Sequence, residues 1–259
     1  MSDLEPHLPS FAIIPGAWQD PANYDGLRHA LAERGYESVC RSPPSTSLPH
    51  GDTDLQADID FVLNEVLQPL VSQGKEVIVL LHSFAGVYGA SAVQGLSKSE
   101  LAQAGRTGGV IAIVYLAAPC VPSGVSLFQV MGIGPQLLPW VSLDETTGLL
   151  SIPDPIPLLF HNLPEQEARE WARKMRTQAI KPMQGLIPYA PFEDHVYKGH
   201  MAYLMCSDDH MVHPPGQDKF VAVAGIEVTD KLPNGHMPWL EAANETAEKI
   251  LGLATKIRI

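Results

Sequence analysis

Short apolar runs alternate with stretches of helical spacing along most of the chain. Phe11-Ala12-Ile13-Ile14 ends at Pro15-Gly16, and residues 25–34 then set Leu27, Ala30 and Leu31 on one helical face before Gly35 closes it. Tyr36 to Cys40 resumes a strand, broken by Pro43-Pro44. Thr53-Asp54-Leu55-Gln56 then reads as a capping box for a helix with Leu55, Ile59, Val62, Val66 and Leu70 on one face, closed by Gly74. Val77-Ile78-Val79-Leu80-Leu81 is apolar without interruption, as a strand covered on both faces of a parallel sheet requires. A small-residue helix follows over 84–96, and a second continuous run spans 110–118. The last quarter repeats the rhythm, with strands over 202–206 and 226–229 and helices over 214–224 and 239–253. Strand and helix in alternation predict the α/β class, with a doubly wound, mostly parallel sheet.

Between Pro119 and Pro191 the rhythm stops. This stretch holds eleven of the 23 prolines and one clear helix, opened by Asn162-Leu163-Pro164-Glu165, with Glu165, Glu167 and Glu170 early and Arg173, Lys174 and Arg176 late, as the helix dipole favours. So long an irregular insertion in a compact domain usually serves function. Its aromatics (Phe128, Trp140, Phe160, Trp171, Tyr189, Phe192) and its aliphatic set (Val130, Met131, Ile133, Leu137, Leu138) suit a cap that covers a pocket. The expected division is a core of residues 1–118 and 196–259 and a cap or lid of residues 119–195.

Composition narrows the partners. The chain has 259 residues, 45% of them hydrophobic, and a net charge of −12 from 17 Lys+Arg and 29 Asp+Glu. That acidity argues against nucleic acid or an anionic membrane, which need a cationic face, and favours a small-molecule substrate. No apolar run is long enough to span a bilayer, and Met1-Ser2-Asp3-Leu4-Glu5 lacks the basic and apolar regions of a secretory signal, so a cytoplasmic location is expected. Cys40, Cys120 and Cys206 form an odd, widely spaced set that reads as reduced core thiols. A homodimer is compatible with all of this.

The sharpest chemical signal is Leu80-Leu81-His82-Ser83-Phe84-Ala85-Gly86, where a buried strand runs into a helix with serine at the turn. Such a turn exposes a hydroxyl at the C-terminal edge of the sheet, where open α/β folds place ligands. The G-x-S-x-G pattern would put small residues two before and two after the serine; here they are Leu81 and Ala85. A serine nucleophile needs a base and a group that orients the base. Tyr203 to Asp209 ends a strand in two aspartates, and Leu232-Pro233-Asn234-Gly235-His236 follows the final short strand, so Ser83, Asp209 and His236 stand in Ser, Asp, His order, each after a predicted strand. Asp208 is the alternative acid. The oxyanion donors would be the N–H of Phe84 and, from the loop Pro15-Gly16-Ala17-Trp18, that of Ala17. His82 reads as a packing residue, and His7, His29, His50, His161, His195 and His200 as surface or cap residues. His210-Met211-Val212-His213 has no third ligand at tetrahedral spacing, so no metal site is expected, and the triad needs no cofactor.

Ile14-Pro15-Gly16-Ala17-Trp18, Arg34-Gly35-Tyr36-Glu37-Ser38-Val39, Leu81-His82-Ser83-Phe84-Ala85-Gly86 and Gly235-His236 together resemble the α/β-hydrolase superfamily. Within it, the similarity is to the branch of small methylesterases and hydroxynitrile lyases, which begins near the third strand of the full fold and so has a shortened N-terminus. That branch commonly has His-Gly-Ala-Trp where this chain has Pro15-Gly16-Ala17-Trp18, and Gly-His-Ser-x-Gly-Gly where it has Leu81 to Gly86. Phe160-His161-Asn162-Leu163-Pro164 with Trp171-Ala172 resembles a filamentous-fungal subgroup. The resemblance implies Ser83 as nucleophile, His236 as base, Asp209 as its orienter, and Ala17 and Phe84 as oxyanion donors. Trp18, Trp140, Phe160 and Met237 are the expected substrate contacts.

The reaction expected from these residues is hydrolysis of a carboxylic ester or lactone of a small, apolar, polyketide-like molecule through an acyl-enzyme. Lyase, cyclase or C–C bond chemistry on the same triad, and non-catalytic binding of a small molecule, are the alternatives, because a fold does not choose among them.

Overall fold

The computed structural model describes residues 8–133 and 138–258. Leu137 of the aliphatic set, His7 and the first five residues lie outside them. Six parallel strands form the main sheet: β1 (Ser10–Ile14), β2 (Ser38–Cys40), β3 (Glu76–His82), β4 (Gly109–Leu116), and, after the insertion, β8 (Met201–Cys206) and β9 (Val228–Leu232). Their order is β2-β1-β3-β4-β8-β9. The chain steps outward from β1 to β2 and then returns past β1 to β3, so the order reverses between β1 and β3. Ligands of open α/β sheets bind at that reversal, beyond the carboxyl ends of the strands. β3 and β4 are buried almost throughout, which their unbroken apolar sequences require, and helices cover both faces. The sheet is that of an α/β fold, as the alternation of runs predicts.

Several elements depart from the sequence expectation, most clearly the helix after residue 53. The helix after residue 53 is capped by Asp54, whose carboxylate accepts from Ala57 N at 2.9 Å, rather than by Thr53. It then passes through a π-helical turn, Val62–Leu67, before Gln68–Val71. Pro69 has no N–H for the α-helical ladder, and the wider turn absorbs it. The wider turn also shifts the buried face by one residue, so Val71 is buried where the 3.6-residue period pointed to Leu70. The helix after Ser83 is shorter than expected, Ala85–Ser91, and the last strand begins at Val228, later than the apolar run suggested.

The region between β4 and β8 contains more structure than the single helix expected, which is present as Glu165–Lys174. A small antiparallel sheet joins β5 (Ser142–Asp144), β6 (Leu149–Ser151) and β7 (Gln178–Ala179). Polar contacts tie it to the loops of the main sheet. The Trp18 indole N–H donates to Leu150 O at 3.1 Å, Thr46 Oγ1 donates to Gln178 Oε1 at 2.8 Å, and Gly51 N donates to Thr147 O at 2.7 Å. Arg176 lies past the end of the Glu165–Lys174 helix and pairs with Asp20 instead of serving the dipole. Cys40, Cys120 and Cys206 are unpaired, and burial raises the pKa of each thiol. No helix among the described residues is long and apolar enough to cross a membrane.

Close packing under the serine turn explains how the chain carries leucine at position 81. Leu81 is fully buried, and the helix beyond Ser83 presents Gly89 to it: a Cβ at Gly89 would lie 2.8 Å from Leu81 Cδ2 and 2.9 Å from Ile14 Cγ2. The space that a small residue at position 81 would leave is supplied from across the interface. Gly89→Ala is expected to destabilise the fold by about 1–3 kcal/mol through overpacking, despite the higher helix propensity of alanine. In a Leu81→Ala background the same change should cost less. Urea unfolding of the four proteins of the double-mutant cycle measures the difference, and equal penalties in both backgrounds would reject the pairing.

Candidate active site

Among the described residues three that are not glycine have positive φ, Trp18 (62°), Ser83 (52°) and Ala117 (44°), and each follows the carboxyl end of a strand, β1, β3 and β4 respectively. Left-handed backbone at a side-chain-bearing residue costs on the order of 1–3 kcal/mol and persists where its surroundings enforce it. At Ser83 the enforcement is visible. Ser83 N donates to Leu116 O at 3.1 Å on the neighbouring strand, and Gly86 N donates to Ser83 O at 2.9 Å. On the other side Gly16 comes so close that a Cβ there would stand 2.8 Å from Ser83 Cβ and 3.1 Å from His82 Nδ1. Gly86 is equally constrained, since a Cβ would run into Pro119 O.

Ser83 Oγ lies 2.8 Å from His236 Nε2, and His236 Nδ1 lies 2.7 Å from Asp209 Oδ2. His236 and Asp209 are each 1% exposed. The second oxygen of Asp209 accepts from Met211 N and Val212 N, both at 2.8 Å. A carboxylate so supplied with donors is acceptor-only, so His236 carries its hydrogen on Nδ1 and turns a bare Nε2 toward the serine. Asp208, the alternative acid, points away: its carboxylate is half exposed and faces His161 and His210. A hydrogen bond from Asn162 holds its pKa below the usual carboxylate value, with a smaller contribution from His161.

Behind Ser83, His236 and Asp209 stand residues that sequence reasoning did not single out. Gln217, fully buried, bonds Cys206 N and Cys206 O at 2.9 Å each and Val212 O at 2.7 Å, and reaches Asp209 Oδ2 at 3.4 Å. It therefore holds the ends of the loop that carries the acid. His82 packs as expected and also bonds: its Nε2 lies 2.9 Å from His236 O and its Nδ1 2.8 Å from Tyr24 Oη. Burial, reinforced by the proximity of His236, pushes the His82 pKa well below 6.5, so the ring is neutral. Its hydrogen sits on Nε2, opposite the His236 carbonyl. Tyr24 Oη in turn accepts from Gly16 N at 2.9 Å and lies against the Gln19 side chain. Trp239 stacks on Tyr24 at 4.7 Å, meets His82 edge-on at 4.7 Å, and donates its indole N–H to Asn23 O at 2.7 Å. No short motif marks these groups; a buried Tyr, Gln or Trp looks like core until the helices around it are placed.

The cavity above Ser83 is about 670 Å³ and almost wholly apolar. Ala17 and Phe84 line it beside Ser83, and neither N–H has a hydrogen-bond partner among the described residues. Trp18 and Trp140 form part of the wall and pack edge to face at 6.2 Å. Phe128, Val130, Met131, Ile133 and Leu138 also line it, as the expected cap residues. Phe160 and Met237 do not. Phe160 is 1% exposed and Met237 2% exposed, and both are packed into the continuous hydrophobic core. Trp171, Tyr189 and Phe192 likewise lie away from the cavity. A wall that the sequence did not announce is the Pro214–Ala224 helix with its preceding loop, which contributes Met211, Val212, Phe220 and Val223. That helix follows the strand that carries the acid, so the loop of Asp209 and the pocket wall are one segment.

A model described as the alpha/beta hydrolase family matches residues 11–249. The chain belongs to the alpha/beta hydrolase family. It is thereby a hydrolase-class enzyme. The chain is 27% identical over 236 residues, 90% of its length and 91% of the relative's, to an alpha/beta hydrolase designated nvfD of Aspergillus novofumigatus. Among solved structures, a pyrethroid hydrolase from Sphingobium faniae superposes with a TM-score of 0.69 at 17% identity, covering 95% of this chain and 97% of that one. A methylesterase from Arabidopsis, MES16, gives 0.70 at 17% identity over 96% and 99%. These likenesses are of the fold.

Replacing Gln217 by Leu, close to it in size, leaves Cys206 N, Cys206 O and Val212 O without their partner. The expected loss is about 1–3 kcal/mol for each backbone group that water cannot reach. Urea unfolding measures it, and a stability within about 0.5 kcal/mol of wild type, the range of neutral surface changes, would show that Gln217 does not hold this loop.

Proposed function

We propose that the chain is a cofactor-independent serine hydrolase that cleaves a carboxylic ester or lactone of an apolar small molecule. The observation that carries this reading is the unbroken line Asp209, His236, Ser83, with contacts of 2.7 and 2.8 Å, ending on the floor of an apolar cavity. As Ser83 Oγ attacks the carbonyl carbon, its proton passes to His236 Nε2, and Asp209 stabilises the imidazolium through the Nδ1–H. The oxyanion lies where the free N–H groups of Ala17 and Phe84 can donate to it. Collapse expels the alkoxide, which takes the proton from His236. Water then attacks the acyl-enzyme, giving its proton to the same nitrogen, and the acid leaves as Ser83 regains its hydrogen.

Hydrogen bonding accounts for the division of roles between the two histidines. His82 is neutral and has both ring nitrogens engaged, so it positions the His236 backbone and takes no proton. His236 has one nitrogen committed to Asp209 and the other directed at Ser83. The apolar walls exclude bulk water and favour an ester with a bulky hydrocarbon portion. In this reading residues 119–195 act as the cap that selects the substrate, with the Pro214–Ala224 helix as the opposite wall. Of the structural neighbours named above, one is a pyrethroid hydrolase and the other a methylesterase, and the second acts on the class of bond proposed here.

Ser83→Ala and His236→Ala are each expected to reduce kcat on any ester turned over by the wild type to a similar floor, because triad members act as one unit. Asp209→Asn should lower kcat by roughly 10³ to 10⁴ through the wrong imidazole tautomer. A fluorophosphonate probe should label the wild type and not Ser83→Ala. Wild-type protein that binds an apolar ester yet resists the probe and does not hydrolyse it would reject the hydrolase reading.

Trp140→Ala should raise KM or change the preferred acyl size while labelling by a small fluorophosphonate persists. Phe160→Ala should act on stability instead, costing about 3–5 kcal/mol as a buried aromatic truncation. A panel of esters of graded size, read alongside thermal unfolding, separates the two. Unchanged selectivity in Trp140→Ala would remove the insertion from specificity.

A further inference from the structure

The cavity above Ser83 is lined by aliphatic and aromatic side chains and Gly216 except at Ser83, His213 and Lys219, and no carboxylate is among the described residues that form it. The chain as a whole carries a net charge of −12. A wall free of acids that holds a lysine therefore has the sign opposite to the molecule's. Elsewhere the lysines find carboxylates: Lys75 pairs with Glu37, Lys98 with Glu76, Lys181 with Asp52 and Lys249 with Asp230. The Lys219 side chain has neither an ion pair nor a hydrogen bond among the described residues.

Helix geometry fixes where this cation stands. Gly216, Lys219, Phe220 and Val223 recur at spacings of three and four along the Pro214–Ala224 helix, so one face of the helix looks into the cavity and Lys219 belongs to it. Asp218, next in sequence, lies off that face and does not line the cavity. One turn beyond Lys219, Val223 is 53% exposed, and from the insertion Val130 and Met131 are 37% and 45% exposed. These apolar side chains line the cavity and yet meet solvent, so they mark its mouth. Lys219 is exposed with them. A lysine in such a place lays its hydrocarbon stem along the apolar wall and keeps its ammonium in water.

We propose that Lys219 makes the pocket selective for an ester or lactone whose apolar portion ends in a carboxylate, with the scissile carbonyl at Ser83 and the carboxylate paired to the Lys219 ammonium at the mouth. The proposal rests on the hydrolase reading for the reacting end of the substrate and adds the chemistry of the far end. A single ammonium with no guanidinium beside it suits a monoanion, whereas phosphate and sulfate groups are recognised by forked or multiple donors. At the mouth a carboxylate keeps part of its hydration. Deeper in the cavity it would meet only hydrocarbon, where an unpaired charge is strongly disfavoured, so the anion belongs at the end of the apolar portion and not within it.

The p-nitrophenyl half-esters of linear dicarboxylic acids of about six to twelve carbons, each set against the p-nitrophenyl ester of the monocarboxylic acid of the same length, measure this selectivity as a ratio of kcat/KM values. At the best length the ratio of charged to neutral ester should fall at least roughly threefold in Lys219→Met, which keeps the apolar stem and loses the charge. In Lys219→Glu, where a repulsion replaces the attraction, it should fall at least roughly tenfold. Added salt should lower the ratio in the wild type and leave it unchanged in Lys219→Met. Lys198→Met makes the same change in net charge before the amino end of β8, the edge of the sheet away from Ser83, and should keep the wild-type ratio. A ratio unaltered in both Lys219 variants at every length, as expected of a lysine that only covers the wall with its stem, would overturn the proposal, as would an equal fall in Lys198→Met. Calorimetric binding of the corresponding methyl esters to Ser83→Ala and to Ser83→Ala/Lys219→Glu gives the ratio without turnover. A shift of at least roughly tenfold there supports the Lys219 site even if the wild type hydrolyses no ester, which would reject the hydrolase reading alone. An unshifted ratio, or no binding of any half-ester at about 1 mM, rejects the Lys219 site even where the wild type is an active esterase.

Discussion

The turn between β3 and the Ala85–Ser91 helix is the constraint on which the rest of the site depends. A strand buried on both faces must pass into a helix within a few residues, and the direction change is concentrated at Ser83, whose φ is 52°. The backbone there is expensive, so the surroundings must leave it no alternative. They do this by proximity. Gly16 presses on Ser83 from the β1 loop, Gly86 on Pro119 from the start of the insertion, and Gly89 on Leu81 from the helix. Each contact is possible because one side lacks a Cβ. The same closeness places the Ala17 loop beside the serine, so one packing condition exposes the hydroxyl and brings a second backbone donor to it.

Electrostatics then divides the work between groups of the same type. His82 and His236 have ring centroids 4.8 Å apart, yet one is kept neutral by burial between a tyrosine hydroxyl and a carbonyl, and the other faces a carboxylate. Asp208 and Asp209 are adjacent in sequence, yet Asp209 is 1% exposed among backbone donors and Asp208 is half exposed between two imidazoles. A buried carboxylate without such donors would be protonated or would unfold its site. The Gln217 amide, spanning both ends of the Asp209 loop, makes burial of that charge compatible with a stable strand end.

The insertion is joined to the core through the same edge. Trp18, itself at positive φ beside the expected oxyanion loop, donates to Leu150 of the small sheet and accepts from Arg176 N at 2.9 Å through its carbonyl. Both bonds join this stretch to the loop that carries Ala17. The cavity wall is shared between this region and the Pro214–Ala224 helix, so the apolar volume belongs to their relative placement.

By itself the sequence determined the order of strands and helices, because buried parallel strands must be apolar throughout and helices between them must be amphipathic. It also determined the serine at the turn, and Asp209 and His236 as candidates, since each follows a strand and so must emerge at one edge of a parallel sheet. The rest depended on contacts between distant segments. Asp208 and Asp209 could be told apart only by which of them the loop turned inward. Phe160 and Met237 carry the same apolar chemistry as Trp140 and Phe128, and only packing put two of the four against the cavity and two in the core. Gln217, Tyr24 and Trp239 gain their roles from partners that local pattern does not encode. The tertiary structure likewise decided how leucine at position 81 could be tolerated, because the missing volume lies eight residues on, at Gly89, and one turn of helix across the interface. Hydrophobic periodicity records which side of an element is covered; which residue covers it is a property of the folded chain.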